Sequence, residues 1–490
     1  MQVPVTRKDV RFYPDPSRVI ARFYYTNNER SANIIRKVLV LPEDVLNIAL
    51  SQVLRGYSKR HRNISKIFEK HFNKLTHLFK ELYINPDNLD ISRKMLIGSY
   101  FTKEYSIESA AFFNPSIVEH PDQTELAAGE KRVIVSFRAT GEGHISSIVF
   151  RTGVIDKENN LTFEPVGQML DEADRVKRHV YNKESFMRKL DEMQKFNNIV
   201  PPALVLDRLG DTFTYGELKR CVFEIRDSLQ LSVTKKRLLN QIMWLAKSHY
   251  EIEFSLDTAI SERVIFPVSE TEQNGIEDAR FIKFTEDDGE TTYYATYTAY
   301  DGMTILPKLL ETKYFYHFII SPIHGEIAQN KGMALFPRKI NGKYVMLCRI
   351  DGVSNFIAFS DNINIWRDAK IIQEPKYHWE FIQVGNCGSP IETEEGWLVV
   401  THAVGPMREY VLGASLYDLD NPEKEIGRLK TPLMMPNNEE REGYVPNVIY
   451  SCGSMIHNDD LIIPYGMSDY ASTFACINLG ELLNELKNTK

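Results

Sequence analysis

Five short segments of alternating apolar and polar residues constrain the fold of this chain more than any other feature. They are residues 131–138, 292–298, 342–349, 396–402 and 460–466. Each follows a polar turn, and the last three intervals are roughly 50 to 65 residues, the length of one four-stranded propeller blade. Five such units predict a mainly β fold, a five-bladed β-propeller, whose polar strand ends converge on a central channel. A β-sandwich is the alternative, but its turns are spaced more closely and more evenly.

Helical periodicity replaces this pattern in two stretches. Between the first two segments, Thr214 and Glu217 have the spacing of a capping box, and Leu238, Ile242 and Leu245 recur at helical intervals. The residues before the first segment are helical as well. We therefore predict an N-terminal helical region at 1–105, a propeller at 106–167 and 256–480, a helical insertion at 168–255 and a C-terminal tail at 481–490.

The N-terminal region contains three predicted helices. The first begins after Pro42 and has Val45, Ile48, Ala49 and Val53 on one face; the second covers residues 64–82 and the third lies near 92–101. These apolar stripes are too many for isolated surface helices. We expect the two helical regions to form one layer beside the propeller and to support a homo-oligomer.

Composition excludes several classes of function. The chain has 490 residues and a formal net charge of −7, which argues against a nucleic-acid-binding surface. Its five cysteines are widely spaced and have no metal-ligand pattern, so we expect buried, reduced thiols and no metal. The N-terminus has no apolar leader segment, and no apolar run approaches membrane-spanning length. We expect a cytoplasmic protein that does not bind a membrane.

A compact charged cluster precedes the second alternating segment. Residues 275–280 read Gly-Ile-Glu-Asp-Ala-Arg, so Glu277 and Asp278 are adjacent and Arg280 follows. An ordinary solvated turn is the simpler interpretation of such a cluster. Similar polar residues stand before the later strands, however, at residues 331–337, 386–390 and 444–447. This recurrence favours a shared site over unrelated turns.

The cluster at 275–280 resembles the Gly-x-Glu-Asp-Pro-Arg signature of glycoside hydrolase family 130, which comprises β-mannoside phosphorylases and β-mannosidases on a five-bladed propeller. Further similar segments follow in the family's order, at residues 114–116, 137–139, 298–302, 331–337, 340–344, 394–397, 445–447 and 465–469. The resemblance covers about residues 106–167 and 256–480. The helical parts have no counterpart in the simplest members of the family.

The resemblance implies that Asp278 is the general acid, which protonates the leaving oxygen through a sugar hydroxyl. Inverting cleavage needs this acid and a nucleophile on the opposite face of the sugar. Phosphate arrives as an anion and requires cations, whereas water requires a second carboxylate as base. Glu277 is predicted to bind sugar or to support the structure, and Arg280 to hold the acidic pair. In a regular strand Glu277 and Asp278 face opposite ways and cannot act as a pair.

Other positions that match the family's motifs are predicted to bind phosphate or sugar. The phosphate-binding candidates are Arg138, Lys331, Arg349 and His402; for each one alone, a structural salt bridge is an equally good interpretation. The sugar-binding candidates are Asn114, Asp301, Asn386, Asn447, Tyr465 and Asp469, where turn capping is the alternative for Asn and Asp. Tyr297, Tyr300 and Trp397 are candidates for stacking on sugar rings or for the core.

One departure from the family bears on the reaction. Many phosphorylases of the family have Pro-Arg after the Asp-Gly at 301–302, and this chain has no arginine there. Lys308 is a candidate substitute, although it offers a point charge rather than a fork. We expect phosphorolysis of a short β-mannoside to α-mannose 1-phosphate, with inorganic phosphate as co-substrate and no cofactor. The alternatives are an inverting exo-β-mannosidase, with Glu326 or Glu392 as base, and a non-catalytic carbohydrate-binding propeller.

Overall fold

Five sheets of four to six strands contain most of the described strands. The computed structural model of the protein describes residues 3–175, 180–194, 203–228, 231–300, 302 and 305–488. The first sheet, in hydrogen-bonded order, consists of Ala111–Glu119, Lys131–Thr140, Ser146–Ile155, Arg263–Ile265 and Asp171–Glu172, with Leu161–Phe163 beside its third strand. The second consists of Gly275–Thr285, Thr291–Tyr300, Ile305–Thr312, His317–Pro322, Tyr250–Glu253 and Asp174–Arg175.

The remaining three sheets have four strands in their main order. The third consists of Ala334–Leu335, Tyr344–Cys348, Asn355–Ser360 and Ala369–Gln373. The fourth consists of Gln383–Asn386, Gly396–Val404, Tyr410–Tyr417 and Glu425–Arg428, with Ile391–Thr393 beside its second strand. The fifth consists of Ile449–Tyr450, Asp460–Met467, Ala471–Asn478 and Thr6–Arg7, with Met455–His457 beside its second strand. The described chain is therefore mainly β.

The five alternating segments are confirmed as strands, and each is the second strand of its sheet. Their residues are more buried than simple alternation predicts, since every residue of Gly396–Val404 is buried. A strand with neighbours on both sides and packed sheets on both faces leaves little surface for water. Two further pairs form separate two-stranded sheets, Val19–Phe23 with Thr102–Ser106 and Val180–Asn182 with Thr212–Thr214.

Several strands come from outside the ranges predicted for the sheets. Thr6 pairs with Cys476, so the start of the described chain completes the fifth sheet. Tyr250–Glu253 pairs with His317–Pro322 in the second sheet. Local sequence does not reveal such long-range pairing, and the ranges 1–105 and 168–255, predicted as helical, therefore also contain strands of these sheets.

Ten helices lie in the described residues. They are α1 Asn28–Leu39, α2 Glu43–Tyr57, α3 Ile64–Asn73, α4 Thr76–Glu81, α5 Ile91–Tyr100, α6 Lys183–Gln194, α7 Ala203–Leu206, α8 Tyr215–Ser228, α9 Val233–Ser248 and α10 Leu479–Asn488. Short 3₁₀ turns lie at Pro86–Asn88, Glu142–His144, Ile260–Glu262, Glu270–Glu272 and Pro406–Arg408. The capping box is confirmed, because Glu217 Oε2 accepts from Thr214 N at 2.7 Å and Thr214 Oγ1 accepts from Glu217 N at 3.3 Å.

Two details of the predicted helices are wrong. The buried face of α2 carries Leu46 and Leu50, while Val45 is 43% exposed and Ile48 is 59% exposed. This helix has apolar residues on two sides, and periodicity alone does not tell which side meets its neighbours. The helix predicted over 64–82 is divided between α3 and α4.

Each helical region has its own hydrophobic core. One core includes Ile35, Phe79 and Ile97 from the N-terminal helices, and the other includes Leu218 and Ile242 from the insertion. Helix α9 also contacts the strand His317–Pro322 of the second sheet. The expected single helical layer and the homo-oligomer stay predictions.

The five cysteines are free thiols, and all five are buried as the sequence predicts. None of the helices in the described part of the chain is long and apolar enough to cross a membrane.

Candidate active site

The two strands that open the first and second sheets are both interrupted by a bulge. In Gly275–Thr285 the register shifts between Glu277 and Arg280, and Asp278 has φ +54°. In Ala111–Glu119 the register shifts between Phe113 and Ser116, and Asn114 has φ +49°. Asn and Asp tolerate this left-handed conformation better than other residues with a side chain. A bulge re-aims its side chain, and Asn114 Nδ2 donates to Asp278 Oδ1 at 2.8 Å.

The same bulge brings Glu277 and Asp278 to one cation. Arg138 donates from Nη2 to Glu277 Oε1 at 2.8 Å, and its Nη1 lies 3.4 Å from Asp278 Oδ1. Lys331 Nζ binds the other oxygen of Glu277 at 2.5 Å. The opposite orientation expected for a regular strand does not apply here, because the register shifts between Glu277 and Arg280.

The charges around Asp278 determine its protonation state. Burial raises the pKa of Asp278, but the cations Arg138 and Lys331 and the hydrogen bond from Asn114 outweigh burial, so its pKa lies below the ordinary value. The carboxyl group is therefore ionised in the protein without ligand. A general acid must carry a proton, so the site needs a change of charge before Asp278 can donate one.

Arg280 acts on the acidic pair through its charge, which helps to lower the pKa of Asp278, whereas its hydrogen bonds go to other residues. It is buried, and its Nη1 donates to the carbonyl oxygen of Asn386 at 3.0 Å and also to Asn386 Oδ1. Its Nη2 donates to the hydroxyl oxygen of Tyr450 at 2.6 Å. Asn386 is fully buried and donates from Nδ2 to Gly332 O at 2.8 Å. Arg280 and Asn386 thus connect strands, and these contacts argue against a sugar-binding role for Asn386.

Each of the five sheets contributes a residue to this region from its first strand or from the turn before it. The residues are Asn114, Asp278, Lys331, Asn386 and Tyr450, for the first to the fifth sheet. Arg138 and Glu277 join the first three of them, Arg280 joins the last two, and the bond from Asn386 Nδ2 to Gly332 O links the two groups. The first strands of all five sheets therefore meet at one polar cluster.

Arg349 and His402 lie together beside this cluster. Arg349 Nη1 is 3.1 Å from His402 Nε2, and His402 Nδ1 is 3.1 Å from the carbonyl oxygen of Asn386. A Cβ built on Gly332 would lie 3.8 Å from Cβ of Arg349, so the chain at Lys331 passes next to Arg349. Of the four predicted phosphate-binding residues, Arg138 and Lys331 bind Glu277, and Arg349 and His402 bind each other.

A cleft of about 490 Å³ opens over the carboxylates. Its lining includes Arg138, Glu277, Asp469, Tyr300, Tyr444 and His144. Burial and the nearby charge of Asp278 raise the pKa of Asp469 to about 6, although Arg138 opposes this. The cleft thus contains Glu277 and a second carboxyl group, Asp469, that takes up a proton under mildly acidic conditions. Volume and lining suit a small polar ligand.

Three predicted sugar-contacting side chains belong to the core instead. Tyr465 is fully buried and donates its hydroxyl proton to Glu440 Oε1 at 2.6 Å. Trp397 is also fully buried. Tyr297 donates to Glu272 Oε1 at 2.8 Å. Because these rings have no free face, the structure argues against sugar binding by any of them.

Asn447, another predicted sugar ligand, lies near the edge of the site. Asn447 is half-buried in the same turn as Tyr444. Asp301 lies outside the described residues.

The proposed substitutes for phosphate-binding arginine and for a catalytic base lie elsewhere. Lys308 is fully buried, and its Nζ is 2.6 Å from Glu272 Oε1, so it is not the substitute for the missing arginine. Glu392 pairs with Arg338 and lies opposite Trp397. His402 is five residues further along that strand, about 17 Å away at about 3.4 Å per residue. Glu326 is exposed. The pairing and position of Glu392 argue against a role as base at this site.

Three residues of the site were not among the candidates predicted from the sequence. Tyr450 binds Arg280, and His144 and Tyr444 lie at the cleft with their rings 5.3 Å apart. A tyrosine three positions after Asn447 in an otherwise apolar strand was a signal for Tyr450. His144 follows the first alternating segment in a turn of unremarkable sequence, and no local signal identifies it.

Sequence comparisons find similar proteins among the β-mannoside phosphorylases. A family-wide sequence model described as β-1,4-mannooligosaccharide phosphorylase matches residues 235–488. A 1,2-β-oligomannan phosphorylase of Thermoanaerobacter sp. is 38% identical over 220 residues, which are 44% of this chain and 72% of that protein. A β-1,2-mannobiose phosphorylase of Listeria innocua is 30% identical over 252 residues, 50% of this chain and 68% of that protein. A solved structure, that of a β-1,2-mannobiose phosphorylase from Listeria innocua with β-1,2-mannobiose, is also similar. The alignment covers 78% of this chain and 93% of that chain, with 22% identity and a TM-score of 0.47.

The matched region exceeds half of the chain, and the chain belongs to glycoside hydrolase family 130. It is an enzyme, and the family resemblance of its motifs is confirmed. Across the described residues, no group of three or more His, Cys, Asp and Glu side chains has the geometry to hold a metal ion.

Proposed function

We propose that this enzyme cleaves a short β-mannoside by inverting phosphorolysis and releases α-mannose 1-phosphate. The observation that carries this proposal is the placement of charges. Asp278 is held by Arg138 and Asn114, and Lys331 and Arg349 lie beyond Glu277. An acid beside several cations suits a reaction in which an anion is the nucleophile.

In the proposed reaction, a phosphate oxygen attacks the anomeric carbon from the face opposite the glycosidic oxygen. The bond between that carbon and the glycosidic oxygen breaks, and the proton of Asp278 goes to the leaving oxygen. The family resemblance implies that this proton passes through a sugar hydroxyl. The new bond lies on the opposite face, so a β-linked mannose becomes an α-linked phosphate.

Phosphate also supplies the change of charge that Asp278 needs. The positive charges of Arg138 and Lys331 keep the pKa of Asp278 low despite burial. A bound phosphate near Lys331 and Arg349 offsets these charges and raises the pKa of the carboxyl group. Binding of the nucleophile and protonation of the acid are then coupled.

We propose further that the five sheets are the blades of a five-bladed propeller and that the polar cluster lies on its axis. Support comes from the residues Asn114, Asp278, Lys331, Asn386 and Tyr450, one from each sheet, which belong to a single hydrogen-bonded cluster. First strands that surround a common axis are the arrangement that produces such a meeting point. The pairing of Thr6 with Cys476 would close the ring by joining the start of the chain to the last blade.

One observation favours hydrolysis as a second candidate. Asp469 lies in the same cleft as Glu277, and burial together with the charge of Asp278 raises its pKa to about 6. A carboxylate with such a pKa is suited to accept a proton from water. In that case the enzyme would be an inverting β-mannosidase with Asp278 as acid and Asp469 as base.

The two candidates differ in their products. The enzyme is incubated with β-1,2- and β-1,4-mannobiose, with and without inorganic phosphate, and Asp278→Asn serves as the control for contaminating activity. Mannose 1-phosphate formed only when phosphate is present supports phosphorolysis. Free mannose released at equal rates with and without phosphate refutes it and supports the mannosidase.

A further inference from the structure

His402 is a buried histidine whose two ring nitrogens have different hydrogen-bond partners, one a donor and the other an acceptor. It is 1% exposed, its Nε2 lies 3.1 Å from Arg349 Nη1, and its Nδ1 lies 3.1 Å from the carbonyl oxygen of Asn386. A guanidinium only donates and a carbonyl oxygen only accepts. Nε2 must therefore accept and Nδ1 must donate, which assigns the ring a neutral form with its proton on Nδ1.

Arg349 depends on this contact for its orientation. His402 is the partner of its Nη1, and its Nε is buried without a hydrogen-bond partner. Among the ion pairs of the described residues, none involves Arg349. A half-buried guanidinium without a carboxylate partner is suited to an anionic ligand. A Cβ built on Gly332 would lie 3.8 Å from Cβ of Arg349. Lys331 directly precedes Gly332, so a second cation lies next to Arg349 in the chain's path.

The surroundings of His402 leave its ring little freedom. His402 lies opposite Gly385 in the fourth sheet, and a Cβ on Gly385 would lie 2.7 Å from Cε1 and 3.1 Å from Nε2 of the imidazole. The ring centroid of Tyr450 lies 4.9 Å away, and that of Tyr410 lies 6.4 Å away with the rings almost parallel. Only glycine at position 385 leaves space for the ring in this position.

We propose that His402 is a positioning residue, a neutral imidazole whose Nε2 holds the guanidinium of Arg349 toward the bound phosphate. The role differs from direct phosphate binding by a histidine cation, because both ring nitrogens already have protein partners. This inference rests on the proposed phosphorolysis.

The charged groups around His402 support its neutral state. Burial lowers the pKa of His402, and the positive charges of Arg349 and Arg280 lower it further, so its pKa lies well below the usual range. Tyr410 and Tyr450 are the other titratable groups that face the ring. An uncharged ring adds no positive charge to the phosphate site and leaves that role to Arg349 and Lys331.

Two substitutions separate the two hydrogen bonds of the ring. His402→Asn places an amide nitrogen near the position of Nδ1, keeps the bond to Asn386 and removes the acceptor for Arg349. His402→Gln places an amide oxygen near the position of Nε2 and keeps that acceptor. We expect His402→Asn to raise the KM for phosphate about tenfold, the usual scale for one hydrogen bond to a charged group. His402→Gln should restore most of the affinity, and the KM for the mannoside should change less than about twofold in both variants.

Gly385→Ala tests the same contact from the opposite strand. The added Cβ should displace the ring from Arg349 and raise the KM for phosphate as His402→Asn does. If Asn and Gln at position 402 have equal effects, or if the KM values for phosphate and mannoside rise together, the positioning role is refuted.

Nitrogen NMR of histidine rings provides a measurement that does not depend on the reaction. The full-length protein is labelled with ¹⁵N-histidine, and the signals of His402 are those that disappear in His402→Asn. We expect a protonated Nδ1 and an unprotonated Nε2 from about pH 5.5 to about pH 8, across the range in which an ordinary histidine titrates. An imidazolium at neutral pH would overturn the proposal. If the wild-type enzyme shows no phosphate dependence, the proposed function fails, and the NMR result alone decides whether His402 accepts from Arg349.

Discussion

Replacing Lys308 by methionine should destabilise the protein strongly without weakening phosphate binding. Lys308 Nζ lies 2.6 Å from Glu272 Oε1, and both side chains are fully buried. Glu272 also accepts from the hydroxyl groups of Tyr250 and Tyr297, both at 2.8 Å, and from the backbone nitrogen of Ser269 at 3.1 Å. Methionine has a similar length and apolar character, so the substitution removes the positive charge and leaves little empty space.

The cost follows from the charge that remains. After Lys308→Met, the carboxylate of Glu272 is buried with neutral donors only. Removing one partner of a buried ion pair costs about 3–5 kcal/mol of unfolding free energy. At about 2.1 cal/mol/K per residue, the unfolding entropy of 490 residues is about 1 kcal/mol/K, so this cost corresponds to a fall in Tm of about 3–5 °C. The double variant Lys308→Met with Glu272→Gln should recover part of the loss, because no unpaired charge is left.

Differential scanning calorimetry of the wild type, both single variants and the double variant measures these differences, and phosphate kinetics well below Tm measures binding. We expect an unchanged KM for phosphate in Lys308→Met. A Tm within about 2 °C of the wild-type value would refute the reasoning on the buried pair. A KM for phosphate raised about tenfold or more would instead return Lys308 to the role of a phosphate ligand.

Three further predictions concern the acid, a titrating carboxylate and the N-terminal helices. Asp278→Asn should lower kcat at least about a hundredfold with an unchanged circular dichroism spectrum, and near-normal turnover would refute its role as acid. Because the pKa of Asp469 is raised to about 6, its ionised form destabilises the native state, and this cost is lost as pH falls from about 6 to about 4. Asp469→Asn should therefore raise Tm at pH 7.5 and raise it less at pH 4.5, whereas an equal gain at both pH values would contradict the assignment. Gly98→Ala should lower Tm, because the added Cβ would lie 1.9 Å from the carbonyl oxygen of Phe68. Gly56→Ala is the matched control, since a Cβ there would have no atom within 4 Å, and it should leave Tm unchanged or slightly raised.

The positions of the strands could be predicted because their pattern is local. Alternation over a few residues identified Lys131–Thr140 and Gly396–Val404 as strands, and the capping-box spacing identified the start of α8. The pairing partners could not be predicted in the same way. Thr6–Arg7 joins a strand more than four hundred residues later in the sequence, and two residues carry no pattern that reveals it.

The sequence by itself determined which residues are candidates for the site, and the tertiary structure decided which of them lie together. Glu277, Asp278, Arg138 and Lys331 were identified from their positions before and at the ends of strands, and the structure brings them into one cluster. The bulge at Asp278 made this possible, because one extra residue breaks the two-residue period by which sequence assigns a side chain to a face. Lys308 and Arg349 were both candidates for binding phosphate, yet Lys308 pairs with buried Glu272 and Arg349 contacts His402. The environments of these two cations depend on partners that are distant in the chain. Only the folded structure therefore distinguishes the buried Lys308 from Arg349, the cation proposed to bind a ligand.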